Sequence, residues 1–279
     1  MASKEGRSVI RRNCNEETET FSFRYRRMQK HPPIKLMYIL PNLFTLGNIF
    51  FGFLSIILSI DGEYVKAAAL IFVAAFFDMF DGKVARATNS TSRFGVEFDS
   101  LADLISFGLA PSLLMYLWIL KPLERLGWLG AFLFVVCGAL RLARFNVLVD
   151  VVSSDRFIGL PIPCAAGMAA ATVVFVESFP NVPESKEHYL PLITILVYLL
   201  GILMVSNIQY RSAKHVTLKG KSPFKIMVVA SLLLIVIALN YQMAFFAIGL
   251  TYILFGLLEA IPDVRKRLAL FQKDHLSDR

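Results

Sequence analysis

Apolar runs of roughly 18 to 25 residues recur almost end to end along this 279-residue chain, each long enough to cross a hydrocarbon core of about 30 Å as a helix. The chain is 56% hydrophobic, with a mean hydropathy of +0.59. These runs predict an all-α integral membrane protein with about eight spans, near 37–60, 65–85, 96–120, 126–148, 160–178, 189–207, 223–241 and 243–262. The first 35 residues are polar, and the apolar run after them is too long for a signal peptide and lacks a small-residue cleavage site, so the first span is expected to stay.

Charge sets the expected topology. The net charge is +8, and the basic residues gather in the N-terminal segment and in alternate connections. These are Lys83, Arg86 and Arg93; Arg141, Arg144 and Arg156; Arg211, Lys214, Lys219, Lys221 and Lys225; and Arg265, Lys266 and Arg267. The positive-inside rule then puts both termini on the cytoplasmic side, together with the connection after span two. At those positions the clusters read as topology signals and contacts to anionic headgroups, and nucleic acid is a poor competitor. Cys14, Cys137 and Cys164 are odd in number and lack CxxC spacing, so neither a disulfide framework nor a thiolate metal site is expected.

Against that apolar background stands Asp78-x2-Asp81-Gly82-x2-Ala85-Arg86-x8-Gly95-x3-Asp99-x3-Asp103. At 100° per residue Asp78 and Asp81 lie about 60° apart at the end of span two, and Asp99 and Asp103 stack at i and i+4 at the start of span three. A turn around Asn89–Ser92 would bring the two faces together. Each carboxylate at a span centre costs about 2.5–3.5 kcal/mol, less near the interface, and four like charges also repel. One arginine cannot neutralise them. Two divalent cations can, and carboxylate ligation without a suitable His or Cys favours Mg²⁺ or Mn²⁺. The bland alternative is a set of interfacial carboxylates paired with Lys83, Arg86 and Arg93.

Gly82 and Gly95 each sit about one turn from a carboxylate and leave room for a bulky anion, although close helix packing is the usual reason for a lone membrane glycine. Arg86 is placed to fork onto a phosphate. In span one, Asn42, Thr45, Asn48 and Gly52 fall within about 120° of one wheel, a polar face suited to helix–helix hydrogen bonding or to a ligand.

The stretch from Asp78 to Asp103 resembles the signature of the CDP-alcohol phosphotransferase family at every specified residue and spacing. The resemblance implies a six-helix core, displacement at the β-phosphorus of a CDP-activated lipid by an alcohol, and release of CMP. It implies one or two divalent ions, with two per site expected here. Asp78, Asp81, Asp99 and Asp103 would be the metal ligands, with Asp103 also the general base. Gly82, Ala85, Arg86 and Gly95 would cradle the diphosphate, and Asn42, Thr45 and Asn48 would line the nucleotide pocket. The chemistry asks for the same parts, since a metal pair neutralises diphosphate oxygens while a carboxylate takes the proton of the attacking hydroxyl.

Three further segments are similar to the phosphatidylserine synthase branch: Arg141-Leu-Ala-Arg144-Phe-Asn146, Gly159-Leu-Pro161-Ile-Pro163, and Val205-Ser206-x3-Tyr210-x3-Lys214. That branch implies CDP-diacylglycerol and L-serine as substrates. Arg141 and Arg144, at i and i+3, would meet serine's carboxylate or a lipid phosphate, with Tyr210 and Lys214 as weaker candidates; arginines at a span end also serve as anchors. Pro161 and Pro163 would start span five. The alternative acceptors are glycerol 3-phosphate and an inositol phosphate. A metal ion transporter would bury its carboxylates near the midplane, often in inverted repeats, and none is visible here. A non-catalytic scaffold leaves the signature unexplained. The expected organisation is a basic segment over 1–35, a transmembrane catalytic domain over 36–263 and a tail over 264–279. The resemblance also implies a homodimer, whose close packing Gly130, Gly138, Gly167 and Ala169–Ala171 would permit.

Overall fold

The computed structural model describes residues 36–87, 92–148, 156–179, 182–211 and 240–258. Seven helical rods account for nearly all of them: α1 Leu36–Ile60, α2 Tyr64–Ala87, α3 Arg93–Leu123, α4 Arg125–Leu148, α5 Ile162–Glu177, α6 Val182–Val205 and α7 Tyr241–Leu258. Among the described residues five stretches are long and apolar enough to cross a membrane, namely Leu40–Ile60, Arg93–Leu123, Arg125–Val147, His188–Val205 and Tyr241–Leu258. The chain is a multi-pass membrane protein. Helix α5 is shorter at 16 residues, and α2 is as long as the others but carries Asp78, Asp81, Lys83 and Arg86 in its second half. The expected spans match these rods to within a few residues, except that α6 begins at Val182, ahead of the expected 189, and that most of 223–241 lies outside the described residues.

One small β element interrupts the helices. Strands β1, Arg156–Ile158, and β2, Gln209–Arg211, pair antiparallel and tie the connection before α5 to the one after α6. Gly159 follows β1 at φ +81°, and a Cβ there would lie 2.3 Å from the Met204 carbonyl oxygen, so a residue without a side chain is needed. Pro161 then caps α5, and its ring and that of Pro163 fall where a helix has no N–H partner to lose.

Helices α1 and α2 form the closest hairpin. Its turn ends on Gly62, again at φ +81°, as a helix C-terminus commonly does. Phe77 stacks between Phe44 and Phe51 at centroid distances of 6.1 and 5.0 Å. Gly47 provides the slot, since a Cβ there would lie 2.5 Å from the Phe77 ring. Helix α3 is not regular: π turns occupy Leu104–Leu109 and Tyr116–Leu120. Each lies just before a proline, Pro111 or Pro122, whose ring lacks an N–H and crowds the carbonyl four residues back; the wider turn relieves that crowding.

The core runs between α2, α3, α4, α5 and α6, with Ile71, Phe107, Leu114, Phe134, Ile162, Met168 and Leu200 almost fully buried. Helix α7 closes over α2 and α5 through stacked Phe72–Phe245 and Phe175–Phe246 pairs. The small residues expected to serve a dimer work inside the chain. A Cβ on Gly130 would lie 2.8 Å from the Tyr198 ring, one on Gly138 2.7 Å from Ile162, and Ala169–Ala171 are buried. Outward faces of α1, α4 and α6 present Leu, Ile and Phe, as lipid contact requires.

Candidate active site

Helix α2 delivers Asp78 and Asp81, and the first turns of α3 deliver Asp99 and Asp103, so the expected convergence is present. Carboxylate oxygens of Asp78, Asp99 and Asp103 lie within 4.8 Å of one another. Asp78 faces Asp103 and Asp81 faces Asp99, carboxyl to carboxyl, across the gap between the helices. The start of α3 is fixed locally: the Ser92 side chain caps it by accepting from the Gly95 N–H at 3.0 Å.

Helix α1 supplies the third wall, and its polar face binds the aspartates directly. The Thr45 hydroxyl donates to Asp81 Oδ2 at 3.0 Å, and Asn48 Nδ2 donates to Asp103 Oδ1 at 3.4 Å. Both side chains are buried, Asn48 completely at 0% exposed. Asn42 is half-buried at the rim, where a Cβ on Gly95 would stand 3.6 Å from its Oδ1. Gly52 lets α1 and α3 touch: a Cβ there would lie 2.7 Å from the Ser106 Cα. The Ser106 hydroxyl, in the π turn just past Asp103, donates to the Asn48 carbonyl at 2.9 Å.

Among the described residues the cations near the carboxylates are few. Lys83 lies over the Phe80 ring at 5.6 Å, and among the described residues the ion pair formed is Lys66–Glu63, near the start of α2. Arg141, on α4, interacts through its charge with Asp103 and Cys164. Arg144 instead donates to Asn207 Oδ1 at 2.8 Å, so the two arginines separate, one toward the carboxylates and one toward the connection after α6. The side chains of Ala85, Arg86 and Tyr210, and all of Lys214, lie outside the described part of the structure. Gly82 is exposed on α2, one residue past Asp81.

Three buried polar atoms in the described residues have no hydrogen-bond partner: Asp99 Oδ1, Asn48 Oδ1 and Arg141 Nε. Buried polar groups are ordinarily paired, and all three of these belong to or adjoin the carboxylate cluster. The residues therefore fit a hard divalent cation. The donor set is all oxygen, Asp99 Oδ1 is free to ligate, and among the described residues the four charges have too few cations beside them to be stable alone.

Two features escaped the sequence reading. Asn146 on α4 and Ser100, next to Asp99, exchange hydrogen bonds of 3.0 and 3.3 Å and pin the carboxylate-bearing turn of α3 to α4. Asn207 was likewise unmarked. The adjacency of Ser100 to Asp99 and the place of Asn146 after the arginine pair were the available signals.

An all-helical membrane protein whose carboxylate cluster lies between two neighbouring helices, with a third helix donating hydrogen bonds to it, is the class that fold and site define. Residues 38–197, more than half of the chain, match the sequence pattern of the CDP-alcohol phosphatidyltransferases, and the chain belongs to that family. It is 43% identical over 184 residues to a CDP-diacylglycerol–serine O-phosphatidyltransferase from Helicobacter pylori, covering 66% of this chain and 76% of that protein. It is 38% identical over 175 residues to a protein of the same name from Bacillus subtilis, covering 62% and 90%. An archaetidylserine synthase from Methanothermobacter thermautotrophicus is 40% identical over 185 residues, covering 66% and 74%.

Proposed function

We propose that this chain transfers the phosphatidyl group of CDP-diacylglycerol to the hydroxyl of L-serine, giving phosphatidylserine and CMP. The observation that carries the reading is the convergence of Asp78, Asp99 and Asp103 within 4.8 Å, with Arg141 beside Asp103. The serine-named relatives in two bacteria and an archaeon support the choice of acceptor.

Serine Oγ attacks the β-phosphorus. A new P–O bond forms, the bond to the bridging oxygen breaks, and its electron pair leaves with CMP. The hydroxyl proton passes to the carboxylate of Asp103, whose Oδ1 also accepts from Asn48. Mg²⁺ or Mn²⁺, two ions held by Asp78, Asp81, Asp99 and Asp103, would when bound neutralise the diphosphate oxygens and the charge developing on CMP. Thr45 orients Asp81 and Asn48 orients Asp103, in the way that partners outside a ligand set commonly tune it. Asn42, at the rim, is left to meet the nucleotide, with Gly82, Ala85, Arg86 and Gly95 toward the diphosphate.

The site faces the cytoplasm from the cell membrane, as the distribution of basic residues supports. The lipid tails then stay in the leaflet while the nucleotide and serine meet in water. The protein acts as a homodimer, with its interface away from Gly130 and Gly138, which already pack inside the chain. The test is CMP release by purified protein with CDP-diacylglycerol and Mn²⁺, comparing L-serine, glycerol 3-phosphate and inositol phosphate. Release with serine alone is expected; release only with a phosphorylated alcohol would overturn the acceptor assignment.

A further inference from the structure

Two of the three unpartnered buried atoms belong to side chains that interact with Asp103, Asn48 on α1 through a hydrogen bond and Arg141 on α4 through its charge, and they differ in kind. Asn48 Oδ1 is an acceptor on α1, and Arg141 Nε is a donor on α4. The Asn48 amide is not free to turn round. Its NH₂ faces the Asp103 carboxylate, where the amide oxygen would be repelled, so Oδ1 points elsewhere. The nearby Ser106 hydroxyl donates to the Asn48 backbone carbonyl and is not available to Oδ1. With Asn48 fully buried, a bare carbonyl oxygen is costly to leave unpaired, and a bound ligand with a donor group would satisfy it.

We propose that Asn48 Oδ1 and Arg141 Nε read the two ends of a zwitterionic amino acid, the amide oxygen accepting from its ammonium group and the guanidinium donating to its carboxylate, with its hydroxyl at Asp103. This rests on serine being the acceptor. With Asp103 as the base the nucleophile lies there, and the unpaired atoms of the two side chains that interact with Asp103 are assigned to the acceptor rather than to the nucleotide. A phosphorylated alcohol offers Asn48 only neutral hydroxyl donors in place of an ammonium, and an amino alcohol without a carboxylate leaves Arg141 unpaired. A site built to hydrogen-bond a group discriminates strongly against an analogue that lacks it.

The test compares three acceptors: L-serine, 3-hydroxypropionate, which lacks the ammonium, and ethanolamine, which lacks the carboxylate. The readout is kcat/KM for CMP release in Asn48→Leu and Arg141→Met proteins. Asn48→Leu weakens every acceptor through Asp103, so the preference ratio is the informative quantity. Its serine to 3-hydroxypropionate ratio is expected to fall roughly 10- to 100-fold, the size of a lost hydrogen bond to a charged group, while its serine to ethanolamine ratio holds. Arg141→Met is expected to do the reverse. Equal loss for all three acceptors in Asn48→Leu would overturn the proposal alone. Should that variant be inactive, competition against serine in the unmodified protein decides: 3-hydroxypropionate binding at least tenfold more weakly supports the proposal, and binding as tight as serine overturns it. Turnover of glycerol 3-phosphate but not serine by the unmodified protein overturns the acceptor reading itself, and this proposal with it.

Discussion

Replacing Gly52 by alanine should disable the site without touching a carboxylate. The new Cβ would lie 2.2 Å from Ser106 Oγ and 2.7 Å from both Ser106 Cβ and Cα. Carbon atoms in contact prefer about 3.5–4.0 Å, so α1 and α3 would have to part by about 1 Å. Ser106 is three residues past Asp103 in a rod that also carries Asp99, and the displacement therefore separates these two from Asp78 and Asp81 on α2. A misplacement of about 1 Å at a reacting centre costs roughly 100-fold in rate, and forcing a methyl into a packed contact costs about 1–3 kcal/mol of stability. The assay is kcat/KM for CMP release in detergent with CDP-diacylglycerol, serine and Mn²⁺, alongside the thermal midpoint. Adding Ser106→Gly removes the Oγ and Cβ overlaps but leaves the one with Cα, so it should restore activity only in part. Gly47→Ala is the contrast, because the atoms nearest its Cβ are those of the Phe77 ring on α2 and none is from α3, so the thermal midpoint should fall while activity falls less than in Gly52→Ala. Activity within threefold of the unmodified protein in Gly52→Ala would refute the idea that the α1–α3 contact sets the carboxylate geometry.

Thr45→Val keeps shape but removes the donor to Asp81 Oδ2, and the half-saturating Mn²⁺ concentration should rise about 10- to 100-fold with kcat recovered at high metal; an unchanged metal titration would count against it. Asp99→Asn should abolish CMP release and lower the Mn²⁺ bound per chain, as measured by elemental analysis after dialysis. Gly159→Ala places a side chain at φ +81° and against the Met204 carbonyl, and should lower stability by about 1–3 kcal/mol in a thermal melt while the metal titration stays put.

Span positions and the aspartate pairing were legible because both follow from short-range periodicity: apolar length gives the rods, and the i, i+4 spacing of Asp99 and Asp103 puts them on one face. The start of α5 at Pro161 and Pro163 was readable for the same local reason. What stayed hidden depends on how rods rotate against one another. Thr45 and Asn48 were visible as a polar face, but only the packing of α1 on α2 and α3 decides that they meet Asp81 and Asp103. Gly52 looked like part of that face, and it is a contact point for Ser106. The arginine pair shared a helix face, yet Asn207, distant in sequence, takes Arg144 and leaves Arg141 to the carboxylates. The π turns before Pro111 and Pro122 leave no signal in hydropathy, since they change backbone spacing and not side-chain character.

The central claim is metal-dependent transfer to serine with Asp103 as base, and labelled L-serine tests it most directly. Metal-stripped protein is given CDP-diacylglycerol and labelled serine, then Mn²⁺, and label in lipid is counted against CMP. The account predicts no product before metal, one labelled lipid per CMP after it, and neither in Asp103→Asn. Labelled lipid formed without metal or by Asp103→Asn, or CMP formed without labelled lipid, would contradict it.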